Sequence, residues 1–190
     1  GFKIEIIPIF NAESMTSGYN YAMKKSDAKY KVYMHQDLFI INKNFIHEII
    51  NIFQGNDNIG IIGLAGAEYI PSNGKWWCSE KRLGRIIHLF EDFSFFENIF
   101  GYKNEYISQV KVIDGMLIAT QYDINWREDL FDGWHFYDIS QSLEFTKKGY
   151  ALVVPNVSKS WAMHACGDKD IDRSYYKYKD IFIREYKDFI

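Results

Sequence analysis

The sequence predicts an α/β fold built on a mostly parallel mixed sheet, and three observations carry that expectation. Strand-like apolar runs alternate with amphipathic helix-like runs over the first third of the chain, an order that right-handed crossovers convert into parallel pairing. One of those runs, Val32-Tyr33-Met34, is β-branched and aromatic without helical spacing, and it leads straight into His35-Gln36-Asp37. A carboxylate at the exit of a buried strand is costly unless something pairs with it, and open α/β sheets hold ligands beyond the carboxyl ends of their strands. Finally, 190 residues at 47% hydrophobic and 25% charged composition suffice for one domain, 1–190, with a real core.

The elements follow in order. Lys3–Phe10 is a strand, with Pro8 pushing that end toward an edge or a terminus. Asn11–Ser14 is a polar connection able to cap a helix, which Met15, Tyr19, Ala22 and Met23 mark by their spacing and Ser26-Asp27 close. After the strand ending at Asp37, the residues Phe45, Ile46, Ile49, Ile50 and Phe53 give a second helix, started by Asn42 or Asn44 and ended near Gly55. Ile59–Leu64 is a buried strand broken by glycines. Pro71-Ser72-Asn73-Gly74 signals a turn before Trp76-Trp77, and the mixed spacing from Leu83 to Gly101 supports no single assignment. Ser108–Ile113 and Met116–Thr120 are strands around Asp114-Gly115. A helix from about Ile139 to Lys148 stops at Gly149, the position where a left-handed residue ends helices. Tyr150–Val154 is a strand ended by Pro155, Trp161–His164 is a last short strand, and Tyr178, Ile181, Phe182, Tyr186 and Phe189 share one helical face.

Composition excludes several function classes. The formal net charge is −3 and no basic block is present, so a nucleic-acid partner is not expected. The two cysteines, Cys78 and Cys166, stand far apart without a CxxC spacing, which gives neither a disulfide framework nor a zinc knuckle and suits a reducing cytosol. No apolar run reaches transmembrane length. The expected location is the cytoplasm, at most peripheral to a membrane. Aromatic residues make up 18% of the chain, surfaces that serve sugar or base stacking as well as cores.

Chemistry-bearing residues gather at strand ends and helix starts: His35-Gln36-Asp37, Asp114, the run from Asp132 to Asp138, and His164. Each has a structural explanation. Asp37 can cap a turn and His35 can bond to backbone; Asp114 before Gly115 is a turn residue; Asp138, with Gln141 three residues on, reads as a helix N-cap. His164 among Trp161, Ala162, Met163 and Ala165 reads as a satisfied core histidine, and Trp134 as packing.

Taken in this order, the same residues resemble the GT-A glycosyltransferases, specifically the family 2-like group. Tyr33-Met34-His35-Gln36-Asp37 occupies the place of the family's Asp-x-Asp motif, with His35 where the first Asp usually stands. Val112-Ile113-Asp114-Gly115-Met116-Leu117 resembles the acceptor segment, Phe131-Asp132-Gly133 the Phe-Asp-Glu turn, and Tyr137-Asp138 with the helix to Gly149 the acidic helix start. The His-Gln-Asp and Trp-His-Phe-Tyr-Asp wording looks like a bacterial subgroup. The resemblance runs from about Lys3 to His164 and implies a three-layer α/β/α nucleotide-diphospho-sugar transferase fold. Lys3–Phe10 then corresponds to that fold's second strand, so the first N-terminal strand is expected to be lacking.

What the resemblance implies is transfer of a sugar from a nucleotide-diphospho-sugar donor to the hydroxyl of a glycan or other acceptor, with inversion. His35, Gln36 and Asp37 would bind donor; Asp37, with His164, would hold Mn²⁺ or Mg²⁺; Asp114, Gly115, Trp134 and His135 would bind acceptor; and Asp138 would be the catalytic base. His164 favours Mn²⁺, because imidazole is the softer donor. Two alternatives stand beside it: a metal-dependent hydrolase on His35, Asp37 and His164, and a degenerate GT-A domain that binds a carbohydrate or partner without turnover. An unpaired Lys3–Phe10 edge would also invite self-association.

Overall fold

The computed structural model describes residues 1–165 and 172–190. The described elements are α1 (Met15–Lys25), β1 (Lys31–Met34), β2 (Leu38–Ile40), α2 (Phe45–Gly55), β3 (Ile59–Gly63), β4 (Ala65–Ala67), β5 (Arg82–Leu89), β6 (Phe95–Gly101), β7 (Ile107–Val110), β8 (Val112–Ile113), β9 (Leu117–Thr120), α3 (Tyr137–Lys147), β10 (Ala151–Pro155), β11 (Ala162–His164) and α4 (Arg173–Glu185). The strands form two mixed sheets, one ordered β1-β9-β3-β10-β7 and the other β2-β11-β5-β4-β8 with β6 on β5. The α/β class is therefore as the sequence predicts.

The mostly parallel pairing is not. Among the described residues, only β3–β10 and β5–β11 pair in parallel. The reason lies in β9. Strands β1 and β3 do run in one direction, as the intervening helix α2 requires, but β9 inserts between them antiparallel to both. Sequence alternation fixes the direction of consecutive strands without saying which later strand lies between them.

Lys3–Phe10 is not a strand. It pairs with no strand among the described residues, and Ile4, Ile6 and Phe10 are largely exposed. A single extended run without a ladder partner has nothing to satisfy its backbone except water. Conversely, Leu83–Gly101 is an antiparallel hairpin, β5 on β6. Its β6 face is mostly exposed and carries Phe95, Phe96 and Ile99 outward, which hides any apolar-in, polar-out alternation. Ser108–Ile113 divides at Lys111 into β7 and β8, which belong to different sheets.

Alternating residues of the central strands face two cores. Ile62, Leu117, Ala119 and Val153 pack with Phe45, Ile49 and Phe53 of α2, whereas Ile61, Ile118, Leu152 and Val154 pack with Met23 of α1 and with Trp126. Helices thus pack against both faces of the central strands. Helix α1 starts with a reciprocal box between Ser14 and Ser17, and its polar Asn20 is buried because it exchanges two hydrogen bonds with the Trp126 backbone. Asn42 Oδ1 accepts from Asn44 N–H just ahead of α2. Gly149 follows α3 with φ +87°, as expected of a residue that ends a helix left-handed. Cys78 is an exposed free thiol and Cys166 lies outside the described residues. No helix among the described residues is long and apolar enough to cross a membrane.

Candidate active site

Two chain crossings between the sheets build the site. His35-Gln36-Asp37 joins β1 of the first sheet to β2 of the second, and Asp114-Gly115-Met116 returns from β8 of the second to β9 of the first. The crossings are stitched together where His35 N–H donates to the Met116 carbonyl at 3.2 Å. Short strands that change sheets leave their polar junctions at the seam, which puts both acidic turns in one place.

On one side of His35 lies a cluster of cation-binding type. His164, the last residue of β11, has Nε2 3.2 Å from Asp37 Oδ1, and His35 Nδ1 is 3.9 Å from the same oxygen. One donor atom from each of His35, Asp37 and His164 lies within 4.8 Å of the others. Two imidazoles and a carboxylate so placed match the donor set of a borderline divalent ion better than an all-oxygen site for Mg²⁺. His88 of β5 stands beside His164, with ring centroids 6.4 Å apart, and stacks on Phe96. Burial and the neighbouring His164 hold its imidazole below the usual range.

On the other side, His35 Nε2 is 2.5 Å from the hydroxyl of Tyr137. Burial, with Asp138 next to it, holds that phenol well above its ordinary range, so it stays protonated. Tyr137 reaches His35 by lying across Gly115. A Cβ built there would overlap the tyrosine hydroxyl and ring, so only glycine permits the approach. The next residue, Asp138, sits in the first turn of α3 and accepts from Gly115 N–H at 3.0 Å. Burial, and then the nearby Asp114, push its carboxyl up to about 7, against the lowering pull of the Ile139 and Gly115 N–H groups. Asp114 itself accepts from Met116 N–H at 2.9 Å, the turn bond expected of it.

Of the two readings of Asp138, helix N-cap or base facing a cleft, the N-cap is not realised. Phe136, at φ +62°, precedes the helix without a side-chain cap, and Gln141 donates to the Ile124 carbonyl instead of closing a box. Phe136 thus enters the helix through a left-handed backbone that a bulky residue rarely adopts. Asp132 also leaves the site: it is exposed and accepts from Tyr178 Oη at 2.7 Å, tethering α4.

Asp114, Gly115 and Asp138, with His35, Trp134 and His135, line a cleft of about 280 Å³. Asp37 and His164 lie behind His35, in the cluster, and Gln36 is exposed outside the cleft. Trp76, Trp77 and Tyr175, to which the sequence assigns no role in a site, also line it, as does Tyr137 of the helix-start motif. The adjacent Trp76-Trp77 pair after a turn was a visible signal; Tyr175, on a helix that starts beyond residue 171, was not. Helix α1 holds the approach to the cleft, because Thr16 Oγ1 donates to the Phe131 carbonyl and Met15 N–H to that of Gly133.

Comparison with curated proteins gives no match. The profile described as a glycosyltransferase-like family, in contrast, matches residues 1–186, taking in both sheets, the seam and the cleft. So extensive a match shows membership, and the chain belongs to that glycosyltransferase-like family.

Proposed function

We propose that this chain transfers a sugar from a nucleotide-diphospho-sugar to an acceptor hydroxyl with inversion, using Asp138 as general base. The observation that carries the reading is that a half-buried carboxylate pushed up to about 7 faces a cleft on one side of His35, while a carboxylate–imidazole cluster lies on the other. A base is most effective when its pKa is near the operating pH.

The donor set fits a divalent cation. Asp37 and His164 would hold it, with His35 as a third donor, and Mn²⁺ suits this set better than Mg²⁺. When bound, such an ion supplies charge neutralisation for a departing diphosphate. The chain's own residues do the rest. Tyr137 fixes the tilt of the His35 ring through its hydroxyl. Gly115 N–H orients the Asp138 carboxylate in the wall of the cleft. As the acceptor oxygen attacks the anomeric carbon, its proton passes to Asp138. The carbon–oxygen bond to the diphosphate breaks, and its electron pair leaves with the nucleoside diphosphate. A single displacement of this kind inverts the centre.

The cluster also suits a metal-activated water, the hydrolase alternative, which would release nucleoside diphosphate without any acceptor. Titration calorimetry of UDP and GDP with and without Mn²⁺ tests the reading. Binding is expected to require Mn²⁺, to be weaker with Mg²⁺, and to fall at least ~10-fold in Asp37→Ala, with the melt preserved. Equal binding without metal, or in the variant, would remove the cluster from the donor site.

A further inference from the structure

Resting on the reading that Asp138 faces the acceptor, we infer that the acceptor is a saccharide whose pyranose ring stacks on an indole shelf made by Trp77 and Trp134. Both tryptophans line the same cleft as Asp138, yet they are 40% and 53% exposed. Trp76, their neighbour, is buried in the core and holds Trp77 edge-on, with ring centroids 6.4 Å apart. Trp77 is thus a fixed platform on a rigid base. Two large apolar faces left open to water beside a catalytic-type carboxylate are better explained by a ligand than by packing.

A second observation comes from Tyr175. It lines the cleft and is 5% exposed, and its hydroxyl has no hydrogen-bond partner among the described residues. A buried hydroxyl without a partner is costly; this one is closed off from water, and a ligand that shifts the side chains over it would supply the missing bond. Trp77, at 5.9 Å between ring centroids, and His135, at 5.4 Å, flank the same ring. A pyranose offers what this wall asks for: one face of C–H groups for the indoles and a rim of hydroxyls for Tyr175 and Asp138. At about 280 Å³ the cleft falls just below the roughly 300 Å³ at which pockets for drug-sized ligands begin. That size suits one sugar unit with its substituents rather than a lipid chain or a peptide segment.

The test has two arms on the same protein. One probes a saccharide array, with hits confirmed by saturation-transfer NMR, in the presence and absence of UDP or GDP with Mn²⁺. The other titrates UDP and GDP with Mn²⁺ alone. Saccharide binding is expected in the wild type, weakened at least ~10-fold in Trp134→Ala and in Trp77→Ala, and several-fold in Tyr175→Phe. Nucleotide affinity should be unchanged in all three variants. Nucleotide binding without any saccharide binding would overturn the inference and leave the transferase reading standing. Loss of nucleotide in the tryptophan variants would assign the shelf to the donor base and overturn it too. Saccharide binding without nucleotide would keep the shelf and sink the transferase reading instead, as a carbohydrate-binding domain without turnover requires.

Discussion

Asp138 is where burial and chemistry oppose each other most directly. An unfolded aspartate ionises near ~4, whereas the folded chain holds this proton up to about 7. Between those values the folded state binds more protons, so the group's contribution to stability is full at low pH and is lost as pH rises through the window. Asp138→Asn cannot ionise. Its stability relative to wild type should therefore increase between about pH 4 and about pH 7 and level off above, by at most ~4 kcal/mol. Denaturant melts at the two ends of the range check this, and a pH-independent difference would contradict it. Tyr137→Phe is the companion variant. The ring packs near Tyr19 and Trp126 and should stay in place. Losing the hydroxyl that tilts His35 should weaken Mn²⁺ affinity ~10-fold, as loss of an outer partner of a ligand does, at ~1 kcal/mol in stability. A Mn²⁺ titration unchanged in the variant would separate Tyr137 from the cluster.

Among the elements, the seam turns matter more than the helices. Gly115→Ala inserts a methyl where the Tyr137 ring and hydroxyl lie, and overpacking of this kind costs ~1–3 kcal/mol. It should also displace Tyr137 from His35, so a thermal melt and a Mn²⁺ titration should both shift; an unchanged pair would mean that the turn relaxes freely. The sequence made Gly115 visible as a turn glycine but not its reason, because the tyrosine it accommodates is 22 residues further along the chain. The exit of β1 was legible, since a short apolar run ending in His-x-Asp puts its polar groups at a strand end whatever the sheet order. The β5–β6 hairpin was not, because Phe95, Phe96 and Ile99 face solvent. Lys3–Phe10 misled for the opposite reason: its composition is that of a strand, but strand formation needs a partner, and none among the described residues pairs with it. Asp138 was placed correctly at a helix start, but the left-handed Phe136 that swings its carboxylate away from capping leaves no trace in residue type.

For the molecule as a whole, two mixed sheets meet at a seam that gathers acids and imidazoles, while apolar side chains remain uncovered at the opposite extreme of the chain. Phe2, Ile4, Ile6 and Phe10 are 47%, 65%, 85% and 80% exposed, and an unpaired apolar segment of this kind favours association. Light scattering should show concentration-dependent self-association that the double variant Ile4→Lys, Ile6→Lys abolishes without changing Mn²⁺-dependent nucleotide binding. A wild type that stays monomeric throughout would contradict that expectation. The central claim is that the seam performs acceptor-dependent sugar transfer with Asp138 as base. Its most direct test is the release of nucleoside diphosphate from a panel of UDP- and GDP-sugars, with Mn²⁺ and a saccharide acceptor, by wild type and Asp138→Asn side by side. The account predicts release that depends on the acceptor and falls at least ~100-fold in the Asn variant while nucleotide binding persists. Release of equal rate in the two proteins, or release that ignores the acceptor, would contradict it.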